Sequence, residues 1–397
     1  MTVAKPLKAP ARTVYWSTEL GTALTKYIMG FLDDQSLALV AKVCQRYRTL
    51  ATPLLLKFVP PMVAHGSAVE PLKRFVQNEL RGVKTLSLAV DKFSADKSKD
   101  SIISSLIESE MNVNLMLGTR NDQTLKLLRK GLDNFHALSA SDRLHKMHNK
   151  FWVLDRKAVI TGSPNVSFSG LEGGNFETCI IIRSARVARL FTDYLALLQS
   201  GNPFEGAQHN TLKNALLQYN SEEHQLKLAM APVINITDFV LENLQDAVKI
   251  TIRQFLISPK NRAASGKDIL TLLCGMAEKG IDIEIYLDES QYESQGFVQT
   301  AVKTLLKSGC KVFVQKPVVV INANAEGLMH DKLILATLHN GVQRTLLGSA
   351  GFTIDVIANQ NAENFICTDV PSIYAACLCH HEESLKASPA KRYVLPK

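Results

Sequence analysis

One short pattern occurs twice in this chain, and an internal repeat constrains the fold more than any other feature here. His148-Asn149-Lys150 opens the apolar run Phe151-Trp152-Val153-Leu154, and His330-Asp331-Lys332 opens Leu333-Ile334-Leu335-Ala336. Each run is followed by a Gly-Ser pair, Gly162-Ser163 and Gly348-Ser349. Each pair is followed by Asn-x-Glu, as Asn175-Phe176-Glu177 and Asn361-Ala362-Glu363. A single His-x-Lys among 10 histidines would carry little weight. Two copies with the same companions downstream mark two related units in one chain.

The spacing has a chemical consequence. Side chains i and i+2 of a β-strand point the same way. His-x-Lys at the head of an apolar strand therefore sets an imidazole beside an ammonium. Lysine is a compact positive charge suited to a phosphate oxygen. Histidine can attack phosphorus or move protons near neutral pH. Two copies facing each other across a pseudo-two-fold axis would place two histidines and two lysines around one phosphodiester. One histidine would attack, and the other would protonate the leaving oxygen and then activate water. The lysines would stabilise the charge of the transition state.

These residues resemble the phospholipase D superfamily, with its H-x-K-x4-D and G-S-x-N motifs. The first copy matches throughout: His148, Lys150, Asp155, Gly162, Ser163 and Asn165. The second keeps His330, Lys332, Gly348 and Ser349 but has Thr337 in place of Asp and Gly351 in place of Asn. The resemblance implies one active site built from His148, Lys150, His330 and Lys332. It implies that Ser163, Ser349 and Asn165 help hold the phosphate and that Glu177 and Glu363 each orient a histidine. It also implies that Asp155 supports its own loop and that no metal or other cofactor is needed. The intact first copy is expected to supply the nucleophile.

Between the motifs the chain alternates strand and helix patterns. Residues 66–200 form the expected first repeat, with strands at Lys84 to Val90, Val113 to Leu117 and Phe176 to Arg183. Its helices are expected at Ser101 to Glu110, Gln123 to Leu132 and Ala185 to Leu198. Residues 234–385 repeat the order, with strands at Lys249 to Phe255, Ile281 to Leu287, Lys311 to Gln315 and Asn364 to Thr368. Helices are expected there at Lys267 to Lys279, Phe297 to Ser308 and from Ser372 on. This order predicts an α/β fold of two pseudo-symmetric repeats packed around one site. Residues 201–233 read as a polar, helix-prone connector, and residues 386–397 as a loose basic tail.

The first 60 residues break the pattern. Residues 1–15 are a basic tail. Residues 16–60 carry Glu19-Leu20, Ile28, Phe31-Leu32-Asp33, Val43-Cys44, Tyr47 and Leu50-Ala51 at spacings that suit short packed helices. That order resembles an F-box, although Trp16-Ser17 stands where Leu-Pro is usual and Tyr47 where Trp is usual. The resemblance implies docking to a ubiquitin-ligase adaptor in a eukaryotic cytosol, the host's if the protein is a bacterial effector. The alternative is a small helical cap on the α/β body.

Composition narrows the setting. No apolar run is long enough to span a bilayer, and residues Met1 to Arg12 are basic with no apolar core behind them. A soluble, cytoplasmic protein is expected. Seven cysteines without a framework favour a reducing compartment. Cys377-Leu378-Cys379-His380-His381 reads as part of an apolar helix rather than a metal clip, because no second Cys/His pair has zinc-site spacing. The net charge of +8 suits any polyanion and selects none.

Three functions remain in competition. A phosphodiesterase acting through a phosphohistidine on phospholipid headgroup esters, with peripheral membrane contact, is favoured because two repeats in one chain are common among the family's lipid enzymes. A nuclease on single-stranded nucleic acid is the second reading. A non-catalytic ubiquitin-ligase adaptor is the third, and it has no use for His148 beside Lys150.

Overall fold

The computed structural model describes residues 56–59, 72–93, 102–108, 111–119, 125–126, 129–130, 135–139, 144, 146–171, 175–223, 225–258, 268–316, 327–353 and 361–394. The basic tail 1–15 and most of the F-box-like segment 16–60 lie outside these residues, as does most of the helix expected from Gln123. The last residues of the F-box-like segment, Leu56–Val59, are a strand and not part of a helix. They belong to the sheet of the first repeat.

The first repeat contributes β1 (Leu56–Val59), β2 (Thr85–Lys92), β3 (Asn112–Thr119), β4 (Phe135–Ser139), β5 (Lys146–Met147), β6 (Lys150–Leu154), β7 (Ala158–Gly162) and β8 (Cys179–Ile182). All but β5 form one sheet in the order β1-β8-β7-β6-β2-β3-β4. The second repeat contributes β9 (Leu226–Ala231), β10 (Ala247–Gln254), β11 (Asp282–Asp288), β12 (Lys311–Gln315), β13 (Lys332–Leu338), β14 (Gln343–Gly348), β15 (Asn361–Thr368) and β16 (Lys391–Arg392). Its sheet runs β16-β12-β11-β10-β13-β14-β15-β5, with β9 also pairing β15. The two orders superimpose, β1 answering to β9 and β8 to β15. Each repeat therefore starts one strand earlier than residues 66 and 234.

Two expectations are corrected at the margins. The connector is helical over Ala207–Glu222, but its end is β9, which pairs antiparallel with β15. The C-terminal tail is not loose throughout: helix Pro371–Ala387 runs into it, and β16 pairs with β12.

The motif strands lie at the centre of their sheets because their sequences suit no other place. Every residue of β6 is buried, which a continuous apolar run requires of a strand covered on both faces. Helix Ala185–Gln199 packs behind the first sheet and starts at Ser184, whose hydroxyl accepts from Val187 N–H. Phe191, Leu195 and Leu198 from that helix join Leu333 and Leu347 of the second sheet, Ile373 of the C-terminal helix, and Leu212 and Leu216 of the connector in one core. Further clusters line the outer face of each sheet. The shared core lies against the inner face of both sheets, with both motifs at the seam.

Candidate active site

The seam is closed by main-chain bonds that obey the pseudo-two-fold. β5, just before His148, pairs in parallel with β15 of the other repeat, and Met329, just before His330, bridges to Phe176. His148 N–H donates to Ala362 O at 3.0 Å, and His330 N–H to Phe176 O at 3.0 Å. Each motif thus enters its own sheet only after docking on the opposite one.

The side chains repeat the exchange. His148 Nδ1 lies 2.8 Å from Glu363 Oε1, and His330 Nδ1 lies 2.9 Å from Glu177 Oε1. Both glutamates are fixed from behind: Ser163 Oγ donates to Glu177 Oε2 and Ser349 Oγ to Glu363 Oε2, each at 2.5 Å. The serines accept in turn from Thr178 and Asn364 N–H. Both serines are fully buried, with their hydroxyls on the glutamates. The Nε2 of each histidine is left for the pocket.

The glycines before those serines follow from the same packing. A Cβ on Gly162 would sit 2.1 Å from Thr178 O, and one on Gly348 would sit 2.2 Å from Asn364 O. The strand carrying each glutamate can approach only a residue without a side chain.

Under the histidines the halves diverge. Asn149 donates to Tyr194 Oη at 2.9 Å and accepts from Asn364 Nδ2 at 2.9 Å, a neutral set. Its counterpart Asp331 accepts from Thr178 Oγ1 at 2.5 Å and from Arg253 Nε at 2.8 Å, with His380 Nε2 at 3.1 Å. Arg253 is fully buried, lies over the Phe176 ring, and brings Nη1 within 3.2 Å of His381 Nδ1. The Cys-x-Cys-His-His stretch therefore supplies buried histidines to an ion cluster beneath the second motif. Among the described residues no group of side chains is arranged as a metal site.

Lys150 and Lys332 each donate from Nζ to the carbonyl of their own histidine, at 2.8 and 2.7 Å. Burial draws Lys150 down to about 8 and Lys332 to about 7, although Glu363 and Glu177 respectively pull the other way. Burial, then Lys150 and Lys146, hold His148 well below its usual range. Burial also lowers His330, with Glu177 opposing. Burial raises Glu363 to about 8. Burial is the largest cause of all these shifts, and an anion in the pocket would oppose the lysine shifts.

The pocket has a volume of about 330 Å³. His148, His330, Lys332, Glu363 and Asn165 line it, and Lys150 is buried with its Nζ on the His148 carbonyl. Asn165 Oδ1 accepts from Lys92 N–H at 3.3 Å. Asp155 is not brought here. It stands at the other end of β6 from Lys150, about 16 Å along the strand, where Oδ1 accepts from the N–H groups of Lys84 and Thr85. Several pocket residues were not singled out by the sequence reading: Asp91, Lys146, Phe255 and Leu328. Lys146 was the most legible of them, since it precedes His148 by two residues and so shares its face.

A two-repeat α/β body whose halves exchange His–Glu pairs around a cationic pocket defines a class of proteins that handle phosphoryl groups. The chain belongs to the family described as cardiolipin synthase, PLD-like domain, whose model matches residues 72–198 and 240–383. It is thereby a member of the phospholipase D superfamily. Among solved structures it is similar to phosphatidylserine synthase from Haemophilus influenzae, at 10% identity over 85% of this chain and 87% of that one, with a TM-score of 0.58. It is also similar to polyphosphate kinase from Porphyromonas gingivalis, at 13% identity over 85% of this chain and 48% of that one, with a TM-score of 0.52. No curated protein matches it in sequence.

Proposed function

We propose that the protein is a phosphodiester hydrolase or phosphatidyl transferase that works through a phosphohistidine. The reciprocal pairs His148–Glu363 and His330–Glu177, with both histidines and Lys332 on one pocket, carry the reading. In the first step Nε2 of one histidine attacks phosphorus. The P–O bond to the leaving alcohol breaks, and that oxygen takes a proton from the other histidine. In the second step water or an alcohol gives its proton to that histidine and attacks phosphorus, breaking the P–N bond. Each glutamate stabilises the positive imidazole that forms beside it, and the lysines stabilise the charge on the equatorial oxygens. The two clamps have matching geometry, and one histidine attacks while the other serves as acid and then base.

A phospholipid headgroup ester is the favoured substrate. The architecture is shared along most of the chain with an enzyme described as a phosphatidylserine synthase, and the pocket has an apolar side at Phe255, Leu256 and Leu328. Among the described residues no helix is long and apolar enough to cross a membrane, so lipid would be met from the membrane surface. The F-box-like segment would add an adaptor-docking role to the enzyme.

The test is turnover in excess chelator on phosphatidylcholine and cardiolipin vesicles and on a labelled single-stranded oligonucleotide, with His148→Ala as the blank. Release of headgroup or phosphatidic acid supports the proposal. Cleavage of the oligonucleotide alone makes the protein a nuclease, and silence on every substrate sinks the enzymatic reading.

A further inference from the structure

The pseudo-two-fold pairs residues of the pocket wall across the two halves. Lys150 pairs with Val90 across β6 and β2, as Lys332 pairs with Gln254 across β13 and β10. Asp91 and Lys92 in the first half therefore stand where Phe255 and Leu256 stand in the second. The bridges Phe93–Val166 and Ile257–Phe352 carry the same register one step further. Lys146 and Leu328 are likewise equivalent, each two residues before its histidine. All six line the pocket. At three equivalent backbone positions the first half is charged and the second apolar, while the histidines, lysines and glutamates between them keep the symmetry.

The contacts sharpen the contrast. Asp91 Oδ2 lies 3.4 Å from Lys146 Nζ and 3.8 Å from His148 Nε2, and Asp91 is 2% exposed. On the other side the Phe255 ring meets His330 edge to face at 5.1 Å, and Lys332 Nζ lies 5.5 Å from its centroid. Phe255, Leu256 and Leu328 are half-buried and so keep surface toward the cavity. A carboxylate on the wall of a phosphate site repels the phosphate. Asp91 is already matched by Lys146 and His148, and the Asp91–Lys146 pair offers an acceptor beside a donor, which suits a polar group on the ligand such as a hydroxyl or an ammonium.

We infer that the substrate is a phosphodiester with two unlike arms, bound one way round. The arm bearing a hydroxyl or amine lies at Asp91 and Lys146 beside His148, and the hydrocarbon arm lies along Phe255, Leu256 and Leu328 beside His330. The inference rests on the phosphodiesterase reading and narrows it. A glycerophospholipid has such arms. A nucleic-acid backbone does not, because a sugar flanks each phosphate on both sides and one wall would always be mismatched.

The experiment compares kcat/KM on three soluble phosphodiesters: dihexanoyl phosphatidylglycerol, glycerophosphoglycerol and dihexyl phosphate. They carry unlike arms, two polar arms and two apolar arms. His148→Ala is the blank. The wild type is expected to prefer the mixed diester by tenfold or more over each of the others. Leu328→Ala, with Leu256→Ser as a second variant, should cut the preference over glycerophosphoglycerol at least fivefold. Asp91→Asn should cut the preference over dihexyl phosphate by a similar factor. Melting curves confirm folding. Equal wild-type rates on all three diesters, or variants that slow all three alike, overturn the orientation and leave the phosphodiesterase reading standing. No turnover above the blank on any diester overturns both.

Discussion

Glu363 Oε1 lies 2.8 Å from Nδ1 of His148, so the carboxylate that aims the first repeat's histidine is supplied by the second repeat. Glu177 returns the contact to His330. Neither repeat holds a complete His–Glu pair of its own, and the candidate site is assembled from both repeats. The consequences can be measured one group at a time.

Replacing either glutamate should disable both steps, because each histidine must accept a proton or form a bond while its Nδ1 is held. Glu363→Gln and Glu177→Gln are each expected to lower kcat by about 100-fold or more, with much smaller changes in KM. Steady-state kinetics on a diester with a 4-nitrophenyl leaving group check this. Near-normal kcat in either variant would show that the clamp is idle.

The same leaving group separates the histidines. 4-Nitrophenolate departs without a proton, so the variant lacking the acid should still form the phosphohistidine and give a burst. One of His148→Ala and His330→Ala is expected to burst and the other to stay silent. Bursts in both, or in neither, would contradict a division of labour between them.

The lysines set the alkaline limb of the pH profile. A lysine is charged below its pKa, and in the empty pocket burial brings Lys332 to about 7 and Lys150 to about 8. Free enzyme therefore loses the charges that attract the phosphodiester as pH rises through that window. kcat/KM, which reports free enzyme, should fall from about pH 7 upward, and kcat should hold to higher pH because bound phosphate keeps the lysines charged. A kcat/KM that is flat across the window would refute the assignment.

The cluster under the second motif is a stability determinant. Burial raises the Asp331 carboxyl, but His380 and Arg253 outweigh it and hold the group well below the usual carboxylate range. Its contribution is therefore full above the unfolded pKa and is lost as pH falls toward the folded one. Asp331→Ala leaves Arg253 buried and unpaired and should cost about 3–5 kcal/mol at neutral pH. Urea denaturation measures it. The double variant Asp331→Leu/Arg253→Met should recover most of that loss, and additive losses would argue against the pair.

Gly348→Ala should act at a distance. The new Cβ would press on Asn364 O from 2.2 Å, and β15 must move, taking Glu363 off His148. A shift of about 1 Å at a catalytic group costs on the order of 100-fold in rate. Kinetics beside a melting curve separate this from unfolding, since the loss should appear in protein that is still folded.

Much of this was legible because a repeat reads itself twice. The paired His-x-Lys motifs, the Gly-Ser turns and the Asn-x-Glu stretches marked the residues that the structure brings together in two His–Glu pairs, and apolar runs placed the central strands. The crossing of the clamps was not legible, since a sequence shows that Glu177 and Glu363 exist but not which histidine each will meet. β1 and β9 were missed because Leu56–Val59 and Leu226–Ala231 are short edge strands without strong alternation. Arg253 and His380 gave no signal, because nothing in a strand such as Ile250-Thr251-Ile252-Arg253 says that its arginine will be buried against an aspartate far along the chain. The serines were legible as residues, but not that their hydroxyls would face the glutamates.

The main-chain bridges at the seam have one more consequence. β5 is stitched to β15 and Met329 to Phe176, and the common core draws on both repeats. A peptide bond between the halves therefore adds little to holding them together. A chain nicked at residues 201–206, ahead of helix Ala207–Glu222, should stay assembled as a two-piece enzyme, and the pieces expressed apart should be inert until mixed.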